Sequence, residues 1–551
     1  MLIGGRGSMN RGYLGRGRLI MLLRSLVGEY WDRPRRPLAA EAASPSGGWG
    51  FAGMFMIRYA WGMKSMLLFW LALVFACSGH SSAGAAEPLP ADLGTRAQGI
   101  DWPDFLGPRR DSRSPETGLA AVAAEAAGGK PLRVVWQCEL GEGYGAPTVS
   151  RGRLFHFDRH GDLHRLTCRN SETGAELWTY ELPASFTDML GYNNGPRATP
   201  VVDGERVYVM SPEGLLACVR VVDGKEIWRV DTLQQFGVVK NFFGVGSTPI
   251  VWGDLLIANI GGSPPDGPPD VYAAQGKVDG NGSGVVAFDK MTGQVRWQAT
   301  DELASYASPV VARLQPPAPP GGSATRGDAD RNGDPPPGGA GGYRERCFML
   351  ARGGLVVFDP ATGKVDFQFP WRASKLESVN ASSPVVVDDQ VFISEAYGPG
   401  AALLRVKPDG GHEVVWQDEP RSRQRAMELH WNTAIHDAGH LYGSSGQHGG
   451  NAELRCIELA TGKVTWQEPR LSRSSLLHVD GHFVCLSEDG SLRLLRATPE
   501  KYDQVAEITP KDAEGQPLLE YPAWAAPVLS HGLLYVRGAN RLVCLELIPA
   551  L

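Results

Sequence analysis

A turn made of Thr-Gly or Asp-Gly, followed by an aromatic residue, recurs along the chain and constrains the fold more than any other feature. Clear copies read SETGAELW, KMTGQVRW and LATGKVTW, and the aromatic residue stands five positions after the Thr or Asp. Glycine in such a turn adopts positive φ, and the residues after it alternate as in a β-strand. Each copy therefore predicts a β-hairpin whose last strand carries a large aromatic side chain.

These aromatic residues are spaced at intervals of 42, 50, 69, 70, 49 and 50 residues. A period of roughly 40 to 50 residues made of short strands is typical of propeller blades. Two Pro- and Gly-rich inserts, 261–284 and 315–342, account for the longer intervals and are predicted to be loops, the second disordered. The predicted structural repeat residues are Trp136, Trp178, Trp228, Trp297, Phe367, Trp416 and Trp466.

A second motif marks where the blades begin. A small residue, usually followed by Pro, precedes a β-rich run at positions 146, 199, 248, 308, 383, 433 and 526, and a copy near 475 lacks the Pro. The last copy ends at RLVCLEL without a fourth strand, whereas RVVWQCEL (133–140) is a fourth strand with nothing before it. We therefore predict an all-β, eight-bladed β-propeller of four-stranded blades over 133–547, closed by an N-terminal strand that completes the last blade.

The region before the repeats carries a predicted export signal. A Met-Lys pair precedes the apolar run 66–77, which is followed by small and polar residues with an Ala-x-Ala site at Ala83 and Ala85. This is the layout of a secretory signal peptide, predicted at 63–86, and the apolar run is too short for a transmembrane helix. The protein is therefore expected to be exported to the periplasm or cell envelope.

Residues 1–62 are Arg- and Gly-rich and lack strand or helix periodicity. We expect them to be a mis-assigned or disordered leader, with the true start at Met63, Met54 or Met56, because a signal peptide does not normally follow such a leader. The alternative is a genuine extension with a membrane-anchoring helix. The stretch 87–132 is then a lead-in segment before the propeller.

The eight cysteines suggest either lipidation or burial rather than a disulfide framework. VFAC, ending at Cys77, approximates a bacterial lipoprotein box, but Phe75 fits that box badly, so cleavage near Ala85 is preferred to membrane attachment through a lipidated Cys77. Four other cysteines occupy positions at which other repeats have a small apolar residue. Buried thiols in third strands are therefore predicted for Cys168, Cys218, Cys456 and Cys544.

The array resembles the pyrroloquinoline-quinone (PQQ)-like repeats of eight-bladed propellers, a family that includes quinoprotein alcohol dehydrogenases and an outer-membrane assembly lipoprotein. The three turn motifs quoted above carry the resemblance, which covers 133–547. DWPDFLGPRRDSRSPETGL (101–119) also resembles the lead-in of exported propellers from planctomycete bacteria. The resemblance implies the fold, but the same ring supports both enzymes and scaffolds.

For the dehydrogenases, the resemblance implies a quinone held between a Trp and a disulfide of two adjacent cysteines, with Ca²⁺ beside a catalytic Asp. This sequence contains no Cys-Cys pair and no Cys-x-x-Cys-His haem motif. We therefore expect no cofactor and a non-catalytic binding or scaffold protein in the cell envelope. The alternative is a PQQ- and calcium-dependent dehydrogenase.

Aromatic, amide and basic side chains recur in the loops that precede each first strand, which meet on one face of the ring. They are expected to line a funnel for a sugar, a peptide strand or an anionic group. The alternative is that they pack the blade junctions. The predicted ligand-binding residues are Tyr144, Asn193, Asn194, Arg197, Phe242, Phe243, Tyr306, Asn380, His430, Trp431, Asn432 and Trp524.

No metal site is expected. The four histidines at 430, 436, 440 and 448 are separated by a turn, so they are not expected to face one point. DADRNGD (328–334) copies the start of a calcium loop, but Gly339 stands where the final Glu belongs, and Pro residues at 335–337 forbid the following helix. With a net charge of −6, the chain has no electrostatic reason to bind nucleic acid. We expect a monomer that binds a protein or extended ligand on one face.

Overall fold

The computed structural model describes residues 89–550, except for Gly276, 315–343, Glu377, Val379, Pro420 and Arg421. The predicted signal peptide, Cys77, the calcium-like motif and the insert 315–342 lie outside these residues. Eight antiparallel blades of four strands follow one another in the described chain, so the predicted eight-bladed propeller is confirmed. No helix of the described part is long and apolar enough to span a membrane.

The elements are as follows. Before the first blade lie β1 (Arg113–Ser114), α1 (Leu119–Ala127) and β2 (Arg133–Glu139). Blade 1 contains β3 (Thr148–Ser150), β4 (Arg153–His160), β5 (Leu163–Asn170) and β6 (Glu176–Pro183). Blade 2 contains β7 (Val201–Asp203), β8 (Arg206–Met210), β9 (Leu215–Arg220) and β10 (Glu226–Asp231), and α2 (Thr232–Phe236) follows it. Blade 3 contains β11 (Ile250–Trp252), β12 (Leu255–Asn259), β13 (Val285–Asp289) and β14 (Val295–Ala299), and blade 4 contains β15 (Val310–Leu314), β16 (Arg344–Leu350), β17 (Gly354–Phe358) and β18 (Val365–Pro370). Blade 5 contains β19 (Val385–Val387), β20 (Gln390–Glu395), β21 (Gly400–Val406) and β22 (His412–Gln417). Blade 6 contains β23 (Ile435–Asp437), β24 (His440–Ser445), β25 (Glu453–Glu458) and β26 (Val464–Pro469), with a 3₁₀ turn at Gly449–Asn451. Blade 7 contains β27 (Ser474–Val479), β28 (His482–Ser487), β29 (Leu492–Arg496) and β30 (Gln504–Ile508), and blade 8 contains β31 (Val528–Ser530), β32 (Leu533–Arg537) and β33 (Arg541–Glu546).

The ring is closed by the N-terminal strand, as predicted. Strand β2 pairs antiparallel with β33 and becomes the outer strand of blade 8. Trp136 stands opposite Cys544, and Cys138 stands opposite Leu542. Pairing of β2 with β33 covers the edge of β33 where the ring closes. Closure therefore depends on contacts between the N-terminal and C-terminal parts of the described chain.

The repeated tryptophans pack against the glycine turn of the next blade. A Cβ atom on Gly293 would stand 2.7 Å from the indole of Trp228, and Gly293 has a φ of +74°. Trp228 Nε1 also donates to the carbonyl of Lys290 in the same turn, at 3.1 Å. Glycine is therefore required there by both its backbone conformation and its neighbour. Equivalent pairs are Trp136 with Gly174, Trp178 with Gly224, Trp297 with Gly363, and Trp416 with Gly462.

Blade 7 lacks the repeated aromatic residue, and helix α1 takes its place. Ala506 occupies the strand position that carries Trp in other blades, opposite Leu494. The buried face of α1, including Leu119 and Val122, packs in one cluster with Ala506. The carboxylate of Asp480 in blade 7 accepts the N–H of Leu119 at 3.0 Å, at the beginning of the helix. A lead-in segment without strand periodicity thus fills the junction between blades 7 and 8.

Hydroxyl groups link the beginnings of successive blades around the axis. Thr199 Oγ1 accepts the N–H of Ala146 at 3.1 Å, and Thr248 Oγ1 accepts the N–H of Thr199 at 3.0 Å. The same link continues around the ring to blade 6. These hydrogen bonds explain why the small residue before each first strand is so often Ser or Thr. The linking residues, termed the hydroxyl crown, are Thr199, Thr248, Ser308, Ser383 and Thr433.

The segment 102–116, termed the axial plug, crosses the ring axis beyond the crown. Trp102 exchanges backbone hydrogen bonds with Val149 of blade 1, at 2.8 and 2.9 Å. The buried guanidinium of Arg110 pairs with Asp104 at 2.6 Å and donates to the carbonyl of Pro309 in blade 4, at 2.9 Å. The plug therefore reaches blades on one side of the axis through ion-paired and backbone contacts.

The plug also contacts blades on the opposite side. Strand β1 pairs in parallel with β27 of blade 7, where Arg113 stands opposite His478. The carboxylate of Glu116 accepts the N–H of Gly532 in blade 8 at 2.7 Å. Because these contacts lie around the axis near the turns that follow the first strands, the plug seals that end of the central channel.

The seven described cysteines form no disulfide with one another. Cys168 stands opposite Trp178, Cys218 opposite Trp228, and both are buried in the third strand of their blades. Cys456 and Cys544 occupy the same place in blades 6 and 8 and are also buried. The predicted location of these thiols is therefore confirmed, and their small side chains fit beneath the indole rings.

Candidate functional site

A cavity of about 480 Å³ lies on the axis at the end opposite the sealed turns. Phe105, Leu106 and Ser112 of the axial plug form part of its floor, and crown residues such as Thr248 and Ser308 surround its base. Its walls come from the loops that precede the first strands. The cavity, termed the axial cup, is therefore open on one face of the ring only.

Aromatic rings in contact with one another form the wall of the cup. The ring of Trp524 lies 4.8 Å from that of Tyr144 and 5.2 Å from that of Trp431, measured between centroids. Tyr192 lies 6.0 Å from Trp524 and 6.0 Å from Phe243. Such distances are typical of paired aromatic side chains. The chain of contacts gives the cup a broad apolar wall of tilted rings.

Arg473 lines the cup and contacts both tryptophans. Its guanidinium carbon lies 4.3 Å from the ring centre of Trp431 and 5.3 Å from that of Trp524. The guanidinium pairs with Glu488 at 2.7 Å, and the same carboxylate accepts the indole N–H of Trp524 at 2.9 Å. The cation, the carboxylate and both indoles therefore hold one another in a fixed arrangement.

Arg197 has the same role on the other side of the cup. It lies 5.1 Å from the ring centre of Phe243 and 5.4 Å from that of Tyr144, and it pairs with Asp188 at 3.0 Å. Burial lowers the pKa of the guanidinium from its ordinary value. Neither Asp188 nor Glu488 belongs to the described lining, whereas their arginine partners contact the rings. The two carboxylates therefore lie behind the wall of the cup.

Burial shifts the pKa values of His430, Tyr144 and Tyr397 in the cup toward their uncharged forms. Burial, aided by the charge of Arg473, lowers the pKa of His430 to about 3. Burial raises the pKa of Tyr144 to about 12 and that of Tyr397 to about 12. Tyr397 Oη lies 3.0 Å from His430 Nε2. The phenols remain protonated and can donate hydrogen bonds to a ligand.

Three buried polar atoms of neighbouring residues have no hydrogen-bond partner in the described structure. They are His430 Nδ1, Trp431 Nε1 and Asn432 Oδ1, and all three residues line the cup. A buried polar atom without a partner is costly, so such atoms mark places where water or a ligand completes the site. The indole N–H of Trp431 can only donate.

Eight of the twelve predicted ligand-binding residues line the cup. They come from loops of blades 1 to 4, 6 and 8, which the fold brings to one face. The eight are Tyr144, Arg197, Phe243, Tyr306, His430, Trp431, Asn432 and Trp524.

The other four predicted residues contact the rest of the chain and are not part of the lining. Asn380 Nδ2 donates to the carbonyl of Ala351 at 2.7 Å. Phe242 is buried against Tyr272, with ring centres 4.6 Å apart. Asn193 and Asn194 lie in the same loop as Arg197, and their side-chain oxygens accept backbone N–H groups of that loop. The observed contacts of these four residues are therefore packing contacts of the loops.

Several lining residues were missed by the sequence analysis. Arg473 belongs to blade 7, whose beginning lacks the Pro that marks the other loops. Tyr397 lies between the second and third strands of blade 5, outside the loops that precede the first strands. The plug residues Phe105 and Leu106 have no periodic signal. The Trp-rich character of the wall could have directed attention to a nearby arginine, since Arg commonly stacks on indole.

The described lining contains no Asp or Glu. Calcium binds six to eight oxygen atoms, usually including carboxylates. The calcium ion and catalytic Asp that accompany the quinone in the dehydrogenases therefore do not fit the residues of this cup. Within the described residues, no group of three or more His, Cys, Asp or Glu side chains is arranged to hold a metal, and the four histidines considered above are not gathered.

Glu395 is a buried carboxyl group next to the cup residue Tyr397. Its two oxygens accept hydrogen bonds from Ser378 Oγ at 2.9 Å and from the backbone N–H of Tyr397 at 3.0 Å. Burial raises its pKa to about 7, above the ordinary value of 4.5; nearby Glu428 adds to the rise and Arg372 opposes it. The protonated form is therefore favoured in the folded state.

We expect Glu395→Gln to flatten the pH dependence of stability. Because the folded pKa is raised, stabilisation from this group is complete below about pH 4.5 and is lost as the pH rises through about 7. The loss is up to about 3 kcal/mol. Denaturant unfolding between pH 5 and 8 measures it, with Glu139→Gln, an exposed position, as control. Equal slopes for the wild type and Glu395→Gln would contradict the assignment.

Comparison with known proteins supports the fold. A family model described as outer membrane protein assembly factor BamB matches residues 120–468 and, again, 341–512. No curated protein matches the chain. BamB from Moraxella catarrhalis is 13% identical over 76% of this chain and 98% of that one, with a TM-score of 0.46. Quinohemoprotein alcohol dehydrogenase from Comamonas testosteroni is 14% identical over 81% of this chain and 80% of that one, with a TM-score of 0.51.

At 14% identity, the likeness to quinohemoprotein alcohol dehydrogenase shows a shared fold alone. The family model is more informative, because its first match alone spans more than half of the chain. It also agrees with the resemblance to PQQ-like repeats found in the turn motifs. The chain belongs to the family described as outer membrane protein assembly factor BamB, a family of eight-bladed propellers with PQQ-like repeats.

Proposed function

We propose that this protein is an exported, non-catalytic binding or scaffold protein of the cell envelope, which takes part of a protein or another extended ligand into the axial cup. The single observation that supports this most strongly is the lining itself. The cup is closed at one end, walled by aromatic rings and free of carboxylates among its described residues. Such a surface suits recognition, since aromatic rings and a few polar groups bind and orient a ligand.

The rim of the cup suits a partner larger than the cavity. Met189, Leu190, Tyr192 and Tyr521 are exposed by 48 to 59%. Leu190, Tyr192 and Tyr521 also line the cup, so the apolar surface continues from the cavity to the outer face. Exposed apolar groups adjoining a cavity are typical of interaction sites. A ligand that fills the cup and lies over the rim would cover both.

The alternative function is a quinone-dependent dehydrogenase. The fold that this chain shares with quinohemoprotein alcohol dehydrogenase favours it. Against it stand the lack of a Cys-Cys pair in the sequence and the lack of a described carboxylate in the lining. Oxidation of an alcohol requires a group that accepts its proton, and burial lowers the pKa of His430 to about 3, which makes this imidazole a weak base.

Export is part of the proposal. The signal-like segment 63–86 and the family match support a location in the cell envelope, with release after cleavage near Ala85 preferred to lipidation of Cys77. We propose a monomeric protein whose leader 1–62 is not part of the mature chain. Mature protein recovered from the envelope fraction should begin between Ala83 and Glu87.

Photocrosslinking tests the binding face. We expect photoreactive benzoylphenylalanine in place of Tyr521 to form a discrete adduct with envelope material. The same residue in place of Leu177, exposed by 44% on the outer strand of blade 1, should form none. Trp431→Ala should abolish the adduct from position 521, because it removes a wall of the cup without changing the rim. Adducts from position 177 alone, or adducts that Trp431→Ala leaves unchanged, would refute binding in the cup.

A further inference from the structure

The hydroxyl crown has unused hydrogen-bonding capacity at the base of the cup. Each crown oxygen accepts a backbone N–H from the preceding blade, at 3.0 to 3.2 Å. A hydroxyl group has one hydrogen of its own to donate. Within the described structure, no acceptor is found for the hydroxyl hydrogens of Thr199, Thr248, Ser308 and Thr433, which line the cup. Four blades thus each contribute one hydroxyl donor to the base of the cup.

The surroundings of the crown offer donors to an anion. Below it, the guanidinium of Arg110 donates to the carbonyls of Thr248 and Pro309, but it is paired with Asp104 at 2.6 Å, so it adds no net charge beside the crown. Above it, Trp431 Nε1 is a buried donor without a partner. Because the described lining contains no carboxylate, an anion there meets donors and no fixed negative charge. Hydrogen bonds to an ionised acceptor are shorter and stronger than those to a neutral one.

We propose that the crown is an oxyanion site, and that the ligand of the cup carries a carboxylate or phosphate ester at the end of a flat, apolar body. The oxyanion accepts hydrogen bonds from the crown hydroxyls, while the body stacks between Trp431, Trp524 and the opposite aromatic wall. This inference rests on the proposed function, since it assumes that the cup binds a ligand, and it adds the chemical class of that ligand.

A matched pair of probes tests the inference on the wild-type protein. Naphthalene-2-carboxylate and naphthalene-2-carboxamide share the flat body and differ in charge. Isothermal titration calorimetry should give at least roughly tenfold tighter binding of the carboxylate, as expected when charge-assisted hydrogen bonds replace neutral ones. Methyl phosphate is titrated in the presence of naphthalene-2-carboxylate: competition between the two shows that a phosphate ester uses the same site, and independent binding shows that it does not.

Variants then locate the site. Thr248→Val combined with Ser308→Ala should weaken carboxylate binding roughly tenfold and leave carboxamide binding unchanged. Thr148→Val is the matched control, because its hydroxyl is also buried and without a partner but lies outside the lining; it should change neither. Trp524→Ala should weaken both probes equally. If the double variant fails to fold, Thr433→Ala alone provides the same comparison.

The outcomes distinguish failure of the oxyanion site from failure of ligand binding in the cup. Equal binding of both probes, or carboxylate preference retained in the double variant, would overturn the oxyanion site while leaving the cup as a binding site. Absence of binding by either probe would also overturn it, and photocrosslinking from position 521 would then decide the proposed function independently.

Discussion

Replacement of Trp228 by Ala is expected to lower the free energy of unfolding by about 3 to 5 kcal/mol. The indole is 8% exposed and fills the junction between blades 2 and 3 against Gly293. Its removal creates a cavity that the glycine turn cannot fill, and it leaves the carbonyl of Lys290 without this donor. Denaturant unfolding monitored by circular dichroism measures the change.

Trp228→Phe separates the two contributions. Phenylalanine keeps an aromatic face against Gly293 but cannot donate to Lys290, so a loss of only about 1 to 2 kcal/mol is expected. Gly293→Ala should also destabilise, because Ala would need positive φ and would stand within 2.7 Å of the indole. If Trp228→Ala leaves the midpoint of unfolding unchanged, the repeated contact is not what holds neighbouring blades together.

Cys138→Pro is expected to destabilise the ring by about 3 kcal/mol and to promote association. The N–H of Leu140 donates to the carbonyl of Asn540 at 2.8 Å, and bonded pairs alternate along an antiparallel ladder. Cys138, opposite Leu542, therefore directs its N–H toward β33. Proline there removes a closing hydrogen bond and exposes the edge of β33, a template for aggregation.

The neighbouring position provides the control. Gln137 directs its N–H away from β33, toward the outer edge, where proline is tolerated. Gln137→Pro should therefore cost clearly less than Cys138→Pro, and it should remain monomeric in analytical ultracentrifugation. If the two variants were equally stable and equally monomeric, pairing of β2 with β33 would not be the contact that closes the ring.

The ring could be predicted from sequence because its signals are local and repeated. A turn, an aromatic residue and a blade beginning lie within about 50 residues and recur, so each copy supports the others. Closure followed from the same logic, since RVVWQCEL and RLVCLEL are the two parts of one blade. The thiols followed because Cys168 and Cys218 hold positions that other repeats give to small residues.

The lead-in and part of the cup could not be predicted, because their contacts are distant and unrepeated. Glu116 binds the turn at Gly532, and α1 packs beside Ala506, yet no periodicity links these segments. Loop composition alone also cannot tell a lining residue from a supporting one. Asn380 and Asn432 look alike in sequence, but both side-chain donors of Asn380 reach backbone carbonyls, whereas Asn432 lines the cup.

Reconstitution with quinone tests the central claim, binding without catalysis, most directly. Purified protein is incubated with pyrroloquinoline quinone and Ca²⁺, separated from free quinone, and assayed for dye-linked oxidation of primary alcohols. A quinohemoprotein alcohol dehydrogenase treated in parallel serves as the positive control. The account predicts no turnover above that of a sample without quinone, because the described cup offers no carboxylate to hold Ca²⁺ or to accept a proton. Stoichiometric retention of quinone together with turnover would contradict it.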